Sequence, residues 1–191
     1  MRSASVLLRL CALAAGSVLL TLLAACETAG PAESRAPAID DAVRRSAERT
    51  AVVALAHRFS DAANLRDGDA FAATWHPDEA TWRIGPPIDR VFRGRDSLGT
   101  AVEGMLGLWD FFVQTPGAIT VDFADDYRMA TARVHVVEQA RARDGHGNFN
   151  LSYYADTLRK HDGAWRYVSR RYRTTYQEDR AYPGEVLAAG R

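Results

Sequence analysis

Apolar residues recur at three- and four-residue spacing from Ile39 onward, with Val52, Leu55, Ala56, Phe59 and Ala63 on one stripe. That period predicts an amphipathic helix packed on a core. Arg66-Asp67-Gly68-Asp69 interrupts the stripe. Asp69 is placed to cap a second, short helix carrying Phe71 and Trp75, which Pro77 ends. Thr81 to Ile84 reads as a strand closed by Gly85-Pro86-Pro87, with Arg90 to Phe92 as its hairpin return. A third helix, Asp96 to Leu108, carries Leu98, Val102, Met105 and Leu106, and Trp109 to Gly117 reads as a loop.

The pattern then changes to period two. Ile119 to Phe123 comes first, followed by a long strand in which Ala132, Val134 and Val136 alternate with Arg133, His135 and Val137. Asp144-Gly145-His146-Gly147 turns the chain, Phe149 to Lys160 returns, and Asp162-Gly163 sets a two-residue hairpin into the last strand, Trp165 to Tyr176. Helices first and long antiparallel strands afterwards predict an α+β fold. A curved antiparallel sheet capped by about three N-terminal helices leaves a cone-shaped pocket with an apolar interior.

Ahead of these elements stands a segment of another kind. Arg2 and Arg9 precede an apolar run from Leu10 to Leu23, and Leu23-Ala24-Ala25-Cys26 follows. The run is too short for a stable span and has the layout of a secretory signal. It resembles a bacterial lipoprotein lipobox, which implies cleavage before Cys26 and acylation of its thiol. The chain then divides into a signal peptide (1–25), a flexible tether (26–38) punctuated by Pro31 and Pro37, a folded domain (39–178) and a C-terminal tail (179–191). Cys11 leaves with the signal, so the exported domain must be stable without disulfides. The expected location is the cell envelope, with the lipid bilayer as partner through acylated Cys26; Glu27 after the cysteine favours the outer membrane where there are two.

The composition, 47% hydrophobic and 25% charged with 24 basic against 24 acidic residues, adds one exclusion. With no basic excess, nucleic acid is not an expected partner. His57, His76, His135, His146 and His161 show no paired ligand spacing, so no metal site is expected.

The order of local motifs carries a resemblance. Asn64-Leu65-Arg66-Asp67, then Pro77-Asp78-Glu79-Ala80-Thr81-Trp82, then Phe92-Arg93-Gly94-Arg95 before a helix are three of them. Tyr154-Ala155-Asp156-Thr157-Leu158 leading through Asp162-Gly163 to Trp165-Arg166 is the fourth. Together, over residues 39–178, they resemble the SnoaL-like branch of the nuclear transport factor two superfamily. The resemblance implies the curved sheet, the helices and often a homodimer, but no single activity. Among the superfamily's enzymes, scytalone dehydratase and the bile-acid 7α-dehydratase imply a general base, donors for a developing enolate and no cofactor. Against those enzymes Phe59 stands where one has a tyrosine, and Asn64 where both have an aspartate. The loop that should hold a histidine, Trp109 to Gln114, has Asp110 as its only ionisable group. Phe donates no hydrogen bond and Asn takes no proton at neutral pH, so the family's known chemistry does not carry over.

Three other polar residues are candidates for replacing it. Asp110 lies among aromatics, an environment that raises a carboxyl pKa, although a water-facing loop acid fits as well. Glu138 falls in the register of Ala132, Val134 and Val136, inward unless the strand has already reached solvent. Tyr154 shares a face with Ser152 and could donate to a ligand carbonyl. Of Arg170, Arg171 and Arg173, alternation forces at least one outward, and a one-residue slip decides which. The expected pocket lining is Phe59, Asn64, Trp82, Trp109, Asp110, Ser152, Tyr154 and Arg173. Three readings follow: a tethered domain binding a small apolar ligand, a cofactor-independent dehydratase or isomerase, or a dimeric structural element whose outward row is Arg133, His135 and Arg141.

Overall fold

In the computed structural model the described residues are 35–187, with side chains from residue 38. The signal, Cys26 and the tether up to residue 34 lie outside them, as does the end of the tail. The chain divides into two units, Met1–Ala42 and Val43–Arg191. Of the first, the described part is helical. Among the described residues no helix is long and apolar enough to cross a membrane.

The first helix, α1 (Arg35–Leu65), starts earlier than the apolar stripe, inside the segment expected to be tether. Pro37 falls in its first turn, where the N–H that proline lacks would have no intrahelical partner. The helix ends by a left-handed Arg66 (φ 58°). The Arg66 N–H donates to the Ala63 carbonyl at 3.0 Å and the Asp67 N–H to that of Ala62 at 2.9 Å, closing the last turn. The cap of α2 (Gly68–Ala73) is Asp67 rather than Asp69, its side chain accepting from the Ala70 N–H at 2.8 Å. Gly68 and Gly99 are required where α2 meets α3 (Arg95–Leu106). A Cβ on Gly99 would come within 2.7 Å of the Gly68 carbonyl oxygen.

One six-stranded sheet completes the second unit, in the order β2-β1-β6-β5-β4-β3. Its strands are β1 (Thr81–Ile84), β2 (Arg90–Arg93), β3 (Trp109–Phe123), β4 (Met129–Ala142), β5 (Gly147–His161) and β6 (Ala164–Asp179). The fold is α+β, as the element order predicts. The sheet is mixed rather than purely antiparallel, because β1 runs parallel to β6. The expected loop Trp109–Gly117 is instead the first part of β3. Its aromatic and β-branched residues suit a strand, and Pro116-Gly117 sits at a register shift between Pro116 and Ile119 on an edge strand, where the ladder tolerates proline.

Alternation on β4 is regular. Ala130, Ala132, Val134, Val136, Glu138 and Ala140 are buried on the face toward the helices. On β6 it is broken: Leu158 pairs with Tyr167 but Thr157 with Ser169, leaving Val168 as the extra residue of a bulge. The inward parity of Trp165 and Tyr167 therefore passes to Arg170 and Tyr172. The core packs the α1 stripe (Val52, Leu55, Ala56, Phe59) against Phe71, Trp75, Leu98, Leu158 and Tyr167.

Candidate functional site

A cavity of about 500 Å³ opens between α1, α3 and the inner face of the sheet. Phe59 and Ala63 from α1, Val102 and Met105 from α3, Trp82 from β1, and Trp109 and Phe112 from β3 form its apolar wall. Its size falls within the range of sites that enclose small organic ligands.

The polar end of the cavity follows from strand register. Gln114, Glu138 and Asn150 lie side by side across β3, β4 and β5. Tyr154 and Tyr172 pair across β5 and β6. Gln114 Nε2 donates to Glu138 Oε1 at 2.7 Å and to the Tyr154 hydroxyl at 3.1 Å. Tyr172 and Asn150 donate to Glu138 Oε2. Ser60 Oγ donates to Gln114 Oε1 at 2.8 Å, which fixes the amide so that its nitrogen faces the carboxylate. Ser152 donates to the Tyr172 hydroxyl at 2.8 Å.

Glu138 is the one carboxylate lining this cavity among the described residues. Burial pushes its carboxyl above the ordinary carboxylate range, against hydrogen bonds from Tyr172, Gln114 and Asn150 that favour the ionised form. All its partners are neutral, so no fixed cation competes for it. The Tyr154 hydroxyl accepts from Gln114 and donates to no described residue. Trp82 Nε1, Asn148 Oδ1 and Asn150 Oδ1 are buried without partners. Each belongs to a residue of the cavity lining.

Beneath this cluster lies a second buried acid, used differently. Arg170 donates to Asp156 from Nε at 2.9 Å and from Nη2 at 3.0 Å, across β5 and β6. The guanidinium also sits about 4 Å from the ring centres of Phe59, Tyr154 and Tyr167. Burial pushes the Asp156 carboxyl up to about 6, with the Arg170 charge opposing it, so the pair is ionised at neutral pH. Neither residue lines the cavity.

The expected lining divides accordingly. Phe59, Trp82, Trp109 and Tyr154 line the cavity, and so does Glu138. Asn64 does not; its side chain accepts from the Gln114 backbone N–H at 2.7 Å and donates to the Gln114 carbonyl at 3.1 Å, holding β3 on α1. Ser152 stands behind Tyr172. Asp110 is turned away, paired with Arg141, whose Nε donates to it at 3.0 Å. Arg141 also donates to the Gly184 carbonyl at 2.7 Å, so this pair ties down the tail. Arg173 is exposed on the opposite face of the sheet, because the Val168 bulge reverses the parity that would have turned it inward. Gln114, Asn150, Tyr172 and the Asp156–Arg170 pair are missing from the sequence-derived site. Asp156 could have been found, since it continues the Ser152, Tyr154 register.

A family model described as a SnoaL-like domain matches residues 44–171. No curated protein sequence matches the chain significantly. Among solved structures, a protein from Novosphingobium aromaticivorans provisionally named as a scytalone dehydratase is similar at 23% identity. The TM-score is 0.64, with 75% of this chain and 97% of that one covered. The type 3 hexachlorocyclohexane dehydrochlorinase of Novosphingobium barchaimii is similar at 18% identity and a TM-score of 0.66, covering 76% and 98%. A nuclear-transport-factor-two-like protein with a cystatin-like fold, also from Novosphingobium aromaticivorans, is similar at 21% identity and a TM-score of 0.61, covering 72% and 88%. At these identities the likeness establishes the fold.

Proposed function

Because the chain belongs to the SnoaL-like domain family, we propose that its cavity holds a small, largely apolar ligand of ring size with a hydrogen-bonding group at the Glu138–Tyr154 end. The observation that carries this reading is an aromatic wall ending in a single buried carboxylate. Cys26 acylation and export to the cell envelope belong to the same proposal. Native mass spectrometry of the purified protein should detect a bound neutral small molecule, and filling the cavity with Val102→Phe should abolish its retention. Equal retention by the variant would refute the assignment. Cys26→Ser should block palmitate incorporation and leave unprocessed precursor; palmitate in the variant would refute the anchor.

A second reading has its own support in Glu138. In a cofactor-independent lyase or isomerase, a C–H bond beside a ligand carbonyl breaks and its proton passes to Glu138, while the enolate oxygen accepts from the free Tyr154 O–H. The electron pair then expels a leaving group or recaptures the proton at another carbon. The names of two similar structures, a dehydrochlorinase and a protein provisionally named as a dehydratase, are names of eliminations.

A further inference from the structure

The opposite face of the sheet carries a feature that the cavity does not use. Arg83 and Arg171 lie directly across from one another on β1 and β6, and Arg173 follows two residues along the same face of β6. Like charges placed opposite each other on adjacent strands destabilise a sheet. None of the three makes an ion pair or hydrogen bond with a described residue, and all three are exposed. Edge protection is not the reason for them, because β1 and β6 are interior strands. The three line one cleft of about 500 Å³ with Gly85 and Thr174; its one carboxylate is Asp89. The same positive face continues over β5 to Arg133, which sits 4.9 Å from the Tyr153 ring centre, and to His135. Asp122 is the exposed acid at that end, and the buried Asp156, already paired with Arg170, also borders it. A chain with balanced charge has thus gathered unpaired guanidinium groups in one concave place.

The geometry points to an oxyanion site in this cleft, with Arg83, Arg171 and Arg173 binding a phosphate group. A guanidinium presents a planar fork of N–H donors that fits phosphate oxygens two at a time, and converging cations raise the local anion concentration. The bound anion would relieve the repulsion between Arg83 and Arg171. None of the three arginines lines the cavity on the other face, although Gly85, Tyr172 and Thr174 border both.

The phosphate could be free or part of a lipid headgroup, and calorimetry on the full chain in neutral detergent at low salt separates the two. The probes are inorganic phosphate, dihexanoylphosphatidylglycerol and, as the control, dihexanoylphosphatidylcholine. Saturable phosphate binding with no gain for the glycerol lipid assigns a free oxyanion. Binding of that lipid at least tenfold tighter than both phosphate and the choline lipid assigns a headgroup. In either case Arg171→Gln with Arg173→Gln should weaken binding at least tenfold while leaving the circular dichroism spectrum unchanged. Arg83→Gln gives a second variant should the double one misfold. No binding of either anion, or affinity unchanged in the variants, would overturn the assignment.

Discussion

Two carboxylates are buried on the inner face of the same sheet, and their surroundings give them different work. Asp156 faces a guanidinium that meets it with two hydrogen bonds. Its charge is spent on holding Arg170 beneath three aromatic rings. Glu138 faces only neutral donors and borders a cavity. Burial alone does not make an acid available for chemistry; the absence of a fixed counter-charge and the presence of space do. On that basis Asp156 is a structural acid and Glu138 the reactive one.

The largest expected effect follows from removing the structural acid. Asp156→Ala leaves the Arg170 charge buried and unpaired, which typically costs about 3–5 kcal/mol. Urea denaturation should show it, and a loss below about 1 kcal/mol would mean that water reaches the guanidinium.

Glu138→Gln should do the reverse to stability and remove any turnover. A carboxyl whose pKa is raised by folding stays protonated in the native state while the unfolded chain ionises. Stability therefore falls as pH rises, beginning at the ordinary value of 4.5 and ending at the elevated native one. In the variant that decline should shrink to the share of Asp156, between 3.8 and about 6. Turnover of an identified substrate should drop at least about 100-fold, while binding persists. An unchanged pH dependence of unfolding would place Glu138 in contact with water.

Tyr154→Phe is expected to be milder. It removes the free donor and one acceptor of the Gln114 amide, a loss of about 1 kcal/mol in ligand affinity. Direct titration of wild type and variant with the identified ligand measures it. No loss would leave Trp82 Nε1 as the ligand's donor.

How far such a site can be read from sequence depends on what interrupts periodicity. The α1 stripe and the β4 alternation are uninterrupted, and they place Phe59 and Glu138 correctly toward the core. On β6 the extra residue Val168 reverses parity, so Arg170 and Tyr172 turn inward while Arg171 and Arg173 turn out. Nothing in the local composition marks Val168 as a bulge. Pro116-Gly117 misleads in another way, since it punctuates a strand whose ladder shifts there rather than ending a loop. A loop in that segment gives Gln114 no inward register, yet Gln114 is the residue that joins Ser60, Glu138 and Tyr154.

Carboxyl-selective carbon NMR of glutamate-labelled protein, assigned through Glu138→Gln, tests most directly whether Glu138 is the available acid. The Glu138 resonance should titrate clearly above the ordinary carboxylate range and shift when ligand enters the cavity. Titration near 4.5 with no response to ligand would contradict its role and leave the cavity without a proton-transfer group.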